Sequence, residues 1–157
     1  MSLIHWWPLN GDTKDYGTLS TDLTVINAPA TEYIDGKIGK CYNFNNEPWM
    51  QATLISVGTD CTICAWGKTS TAGKMLWGIQ CSASQYMNLF NAGPICLNIG
   101  DSLNNPFQDG SRSVPAITDG LWHHYTVVFH GSDKARLYID GVYRGTAKIY
   151  RNPTMNQ

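Results

Sequence analysis

At 157 residues, with 43% hydrophobic residues, 15% charged residues and a formal net charge of −1, the chain has the composition of one globular domain. That charge argues against nucleic acid as a partner. No apolar run reaches the ~20 residues that a membrane-crossing helix needs. The expected organisation is therefore a single domain over residues 1–157.

Ile4 to Leu9 reads as an opening strand, with Pro8 near its end or on a sheet edge. Asn10 to Gly17 is a polar turn. Leu23–Asn27 is a short strand, and Tyr33 to Phe44 is a glycine-bearing turn that runs into another. Glu47 to Gln51 reads as a loop. Thr59–Lys68 is a strong strand, with Ile63 and Ala65 on one face and Thr62, Cys64 and Trp66 on the other. Met75–Gln80, Gln85–Phe90 and Ile95–Ile99 follow, the last two joined by a turn at Asn91 to Pro94. Asp101 to Asp119 is polar, carries two prolines and reads as the longest irregular segment, of the kind that tends to be functional.

Trp122–Phe129, Ala135–Ile139 and Val142–Arg144 form the clearest pattern. The last two are separated by Asp140-Gly141, a type I′ hairpin signal. Tyr125, Val127 and Phe129 share one face; Trp122, His124, Thr126 and Val128 share the other. About nine short strands and no amphipathic helix predict an all-β, two-sheet antiparallel sandwich.

Three motifs resemble one family. They are Trp7 to Gly17 in the form W-x-L-N-G-D-x-x-D-x-G, Trp122 to Phe129 as W-H-H-Y-x-V-x-F, and Leu137 to Gly145 as L-Y-I-D-G-V-x-x-G. Together they resemble laminin G-like, concanavalin A-like lectin/glucanase jelly-roll domains of bacterial or phage type. The resemblance runs from Trp7 to about Gly145 and implies a jelly roll of two facing sheets. Such domains usually continue past the Asp-Gly hairpin with two more strands, whereas this sequence stops at Gln157. A missing last strand would leave an edge for another chain, a homo-oligomer or a parent assembly to fill.

Five cysteines, at 41, 61, 64, 81 and 96, cannot all pair within one chain. Cys61 and Cys64 lie three apart on a strand, so they face opposite ways, and no second pair completes a zinc site. They read as buried free thiols, a pattern that favours folding in a reducing compartment.

Catalysis is poorly supported. Paired carboxylates would be needed for glycoside hydrolysis, but the only glutamates are Glu32 and Glu47, both in loop contexts. Adjacent His123 and His124 face opposite sides of their strand, and no nucleophile elbow is present. The chain is expected not to be an enzyme and to need no cofactor. Calcium is a side expectation at Asn10, Asp12 and Asp15, hard oxygen donors in one turn; ordinary Asx turn chemistry explains the same residues.

Binding remains. Sugar sites join aromatic platforms to amide and carboxylate hydrogen-bonding groups. Trp77, Gln80, Tyr86, Asn88 and Asn98 lie on successive strands, with Trp49, Asn105 and Phe107 in the loops that would rim them. Core packing is the competing reading for every aromatic, and the expected one for Trp6, Trp7, Trp66 and Trp122. Two functions stay open. One is a non-catalytic module of a surface-exposed protein, such as a phage tail appendage or bacterial surface protein, recognising a glycan or another cell-surface ligand. The other is a structural or oligomerisation domain of a larger assembly. The expected location is extracellular or on a virion surface. The opening residues MSLIHWWPLN carry no basic and long apolar segments of a secretion signal.

Overall fold

A computed structural model describes residues 3–27, 33–44, 49–52, 60–82, 85–91, 93–99, 102–131 and 134–148, with side chains at all of these except 79–88, 90, 98–99 and 102–105. Among the described residues fourteen strands appear in chain order: β1 Thr24–Ile26, β2 Tyr33–Asp35, β3 Lys40–Tyr42, β4 Trp49–Gln51, β5 Thr62–Gly67, β6 Lys74–Ser82, β7 Gln85–Asn91, β8 Ile95–Ile99, β9 Ser102–Pro106, β10 Gln108–Asp109, β11 Arg112–Ser113, β12 His123–His130, β13 Lys134–Ile139 and β14 Val142–Lys148. No helix occurs among the described residues. The chain divides into two compact units, Met1–Ile55 and Ser56–Gln157.

The second unit is a two-sheet antiparallel sandwich. One sheet has six strands in the order β11-β10-β14-β13-β12-β5, the other four in the order β6-β7-β8-β9. Strand alternation explains why they face each other. On β12, Tyr125, Val127 and Phe129 are buried; on β13, Ala135, Leu137 and Ile139 are. Leu89, Ile95 and Leu97 of the smaller sheet, with Phe107 and Val114, complete the same cluster. Each fully buried aliphatic side chain here contributes about 1.5–3 kcal/mol over its exposed state.

Polar anchors join these strands. Asn91, fully buried, donates from Nδ2 to the Ile117 carbonyl at 2.6 Å and accepts the Ile117 N–H at Oδ1. Ile117 sits partly buried against the core beside it. Between β13 and β14 the register shifts at Leu137/Tyr138, so that Arg144 is the extra residue of a bulge. Next to it, a Cβ on Gly145 would lie 2.6 Å from the Gln108 carbonyl oxygen, which is why only glycine lets β10 approach there. Asp140 and Gly141 both take positive φ, 53° and 78°, as the predicted tight turn requires.

The first unit holds two small sheets, β1 with β4 and β2 with β3. Its N-terminal segment carries no strand assignment, contrary to the opening strand expected over Ile4 to Leu9. It is fixed instead by Asp15. That buried carboxylate accepts the backbone N–H groups of Trp6, Gly17 and Thr21 at 2.8–2.9 Å and pairs with His5 Nδ1 at 2.7 Å. Burial alone would raise its pKa, but these donors outweigh burial and hold it far below the usual carboxylate range.

Other expectations need correcting. Glu47 to Gln51 is not wholly a loop, since Trp49–Gln51 is β4 and pairs with β1. The long irregular segment contains β9, β10 and β11, with Leu97 opposite Asn105 and Cys96 opposite Pro106. Cys64 is exposed rather than buried, Cys41 and Cys61 are partly buried, and Cys96 is buried; Cys61, Cys64 and Cys96 carry free thiols. Residues 149–157, where a closing strand is in question, lie outside the described residues, as does Cys81's side chain.

Candidate binding faces

On β12 and β13 every second residue enters the core, so the residues between them form the outer face of the six-stranded sheet. Hydrogen-bond register sets these into rows. Trp66 of β5 stands opposite His124 of β12; Cys64, Thr126, Tyr138 and Tyr143 form the next row; Thr62, Val128, Arg136 and Thr146 the one after. Rows are roughly 7 Å apart along the strands and neighbours about 4.8 Å apart across them. The aromatic rings make contact: Trp66 and His124 lie 5.0 Å apart at 48°, and Tyr138 and Tyr143 5.7 Å apart at 66°. Trp66 is 43% exposed and Tyr143 46%. Tyr143 Oη and Thr146 Oγ1 are 2.9 Å apart, which fixes the tyrosine ring. Arg136 and Thr126 border the rings with donors and an acceptor.

The start of β12 is pinned by a histidine between two carboxylates, His123, which alternation puts with Tyr125 rather than with His124. His123 Nδ1 lies 2.7 Å from Asp140 Oδ2, and Nε2 lies 3.1 Å from Asp119 Oδ2. Asp140 also accepts the His124 N–H, and Asp119 the Leu121 N–H, both at 2.9 Å. The hydrogen bond to Asp140 is the main cause of a raised His123 pKa; burial opposes it and Asp119 adds to it. Asp140 is lowered first by the His124 N–H and then by His123, and Asp119 first by the Leu121 N–H.

The residues singled out in the sequence are distributed differently. Phe107 is 0% exposed and packs in the core, so it cannot rim a site. Trp77 stands opposite Leu89 and packs against the same core; its Nε1 is buried without a partner among the described residues. Asn88 pairs with Gly78 on one side and Asn98 on the other, Gln80 pairs with Tyr86, and Asn105 with Leu97. The side chains of Gln80, Tyr86, Asn88, Asn98 and Asn105 lie outside the described ones. Trp49 is 44% exposed and belongs to the first unit.

For the calcium expectation, the three oxygen donors are engaged locally. Asn10 Oδ1 accepts the Lys40 N–H at 2.7 Å, Asp12 accepts from Lys14 N and Tyr16 Oη, and Asp15 holds the donors already described. Among the described residues no group of three or more His, Cys, Asp or Glu side chains is arranged to hold a metal ion.

Trp6 and Trp66, expected in the core, are both substantially exposed. Alternation on β5 shows which residues share Trp66's face, but its two faces differ little in apolar content: Ile63 and Ala65 against Cys64 and Trp66. Only pairing with β12 decides which one meets the core.

The family model of the concanavalin A-like lectin/glucanases superfamily matches residues 44–157. No curated protein matches the chain by sequence. Among solved structures, the chain is similar to domain 4 of AbnA, a GH43 extracellular arabinanase from Geobacillus stearothermophilus, in complex with arabinotriose. The TM-score is 0.71 at 18% identity, over 97% of this chain and 77% of that one. The family match covers most of the chain, which therefore belongs to the concanavalin A-like lectin/glucanases superfamily.

Proposed function

We propose, from membership of this superfamily, that the chain is a non-catalytic carbohydrate-binding module. The observation that carries the reading is the outer face of the six-stranded sheet, where Trp66 packs against His124 and Tyr138 against Tyr143, with Trp66 and Tyr143 exposed. The C–H face of a sugar ring stacks on such rings, and Thr126, Thr146 and Arg136 beside them suit its hydroxyls. The similarity to a domain solved with arabinotriose supports the ligand class. Engagement of Asp119 and Asp140 with His123 supports a binding role over hydrolysis, because both carboxylates are committed to a structural contact. The module acts on a glycan outside the cell or at a virion surface, as part of a bacterial surface protein or phage appendage; the extracellular source of the similar domain supports the first of these.

A glycan array of the purified protein, repeated with Trp66→Ala and Tyr138→Ala, tests the reading. A saturable hit weakened tenfold or more by either change, about 1.4 kcal/mol or more, is the expected result. A hit insensitive to both but lost in Asn88→Ala or Tyr86→Ala moves the site to the adjacent rows Gln80–Tyr86 and Asn88–Asn98 on the four-stranded sheet. Silence from a folded protein leaves the alternative, a structural domain of a larger assembly.

A further inference from the structure

The first unit carries a second aromatic surface, outside the span matched by the family model. Its sequence alternates: His5 and Trp7 are half-buried and stacked, with centroids 4.9 Å apart and planes 6° from parallel, while Ile4 and Trp6 face outward. A second segment is laid against the first by backbone hydrogen bonds from Tyr16 N to the Trp6 carbonyl at 2.8 Å and from Leu19 N to the Ile4 carbonyl at 3.2 Å. Gly17 allows this approach, since a Cβ there would overlap the backbone of Ile4 and His5. Trp6 and Tyr16 thus meet edge to face at 6.1 Å and 62°, yet remain 53% and 55% exposed.

The backbone beneath these two rings is fixed. Asp15 accepts both the Trp6 N–H and the Gly17 N–H on one oxygen, tying the two segments at the point where the rings project. From the side, Tyr16 Oη donates to Asp12 Oδ2 at 3.0 Å, which orients the phenol and places a carboxylate at the rim. Each carboxylate oxygen has a further lone pair, so Asp12 can accept from a ligand as well. An apolar ring face with an acceptor-only anion beside it matches a molecule with one C–H face and several hydroxyl donors. An acidic glycan or an anionic peptide would meet repulsion from Asp12.

We propose that Trp6, Tyr16 and Asp12 form a second binding site, for a neutral oligosaccharide, separate from the face of the six-stranded sheet. A sugar ring stacks on Trp6, Tyr16 walls one side, and ring hydroxyls donate to Asp12. The inference rests on the carbohydrate-binding reading, but its residues are distinct and can be tested apart.

The experiment is isothermal titration with arabinotriose and a panel of neutral xylo-, gluco- and manno-trisaccharides. Four proteins are compared: wild type, Trp6→Ala, the double variant Trp66→Ala/Tyr138→Ala, and all three changes together. Two sites per chain in the wild type, one in each of the middle proteins and none in the last is the expected pattern. Tyr16→Phe, which keeps the ring but releases Asp12, should weaken the first-unit site about three- to tenfold, in line with one solvent-screened hydrogen bond. A sugar-induced shift of the Trp6 indole N–H signal in the wild type serves where Trp6→Ala perturbs folding. Binding removed entirely by the sheet double variant and unchanged by Trp6→Ala overturns this inference and leaves the carbohydrate reading intact. Binding removed by Trp6→Ala alone supports the site and overturns the sheet placement. Self-association or protein binding lost in Trp6→Ala, with no indole shift from any sugar, overturns the ligand class.

Discussion

Removing the charge at His123 is expected to lower stability only where that charge exists. The imidazole is held between Asp140 at 2.7 Å and Asp119 at 3.1 Å, and links the start of β12 to the β13–β14 turn. A hydrogen bond to a charged group contributes about 1.5–3 kcal/mol when well shielded. Asp140's side chain is 44% exposed, however, so solvent screening brings the His123–Asp140 contact down to about 1 kcal/mol. For a chain of this size that corresponds to roughly 2–4 °C in Tm. His123 is raised from 6.5, so its contribution is complete below pH 6.5 and fades as pH rises through the folded value. Both aspartates are lowered from 3.8, so theirs is complete above pH 3.8 and fades as pH falls through the folded values. The contact is therefore strongest between pH 3.8 and 6.5. Thermal unfolding of wild type and His123→Gln, measured at pH 5.5 and pH 9, should give a gap in Tm at the first that closes at the second. Asp140→Asn provides a control, because asparagine tolerates the positive φ and can still accept the His124 N–H. A gap of equal size at both pH values would refute the electrostatic account and assign His123 a packing role.

Other consequences can be checked with less work. Asn91→Ala strands the partly buried Ile117 N–H and carbonyl and should cost about 1–3 kcal/mol in urea unfolding. Leu137→Ala, at a fully buried position in the sandwich, should cost more, about 2–5 kcal/mol by the same assay. Calcium should leave Tm unchanged, because Asn10, Asp12 and Asp15 already accept internal donors; a saturable rise that a chelator reverses would show that a cation displaces those donors. A thiol reagent should label exposed Cys64 in the native protein and buried Cys96 only after unfolding, the latter thiol also being pushed up by burial.

What the sequence made legible follows the reach of the interactions that set each element. Local chemistry is enough for β12 to β14: Asp140-Gly141 dictates the turn, and period-two alternation separates Tyr125, Val127 and Phe129 from their neighbours. β5 and β8 are equally readable, as apolar runs bounded by turns. β9 is not, because Ser-Leu-Asn-Asn-Pro has no alternation and is a strand only through its pairing with β8. The same limit governs the aromatic residues. Local pattern assigns a residue to one of two faces, and partner strands decide which face is covered. Trp77 lies in the row of Leu89 and packs inward, whereas Trp66 lies in the row of His124 and faces out. Trp6 is exposed for a different reason: Asp15, nine residues away, gathers the N–H groups around it and turns His5 and Trp7 inward in its place. Tryptophan favours the core by composition, so its exposure at positions fixed by neighbouring hydrogen bonds and ring contacts is the feature that folding alone does not require, and it is on these rings that ligand binding should be sought.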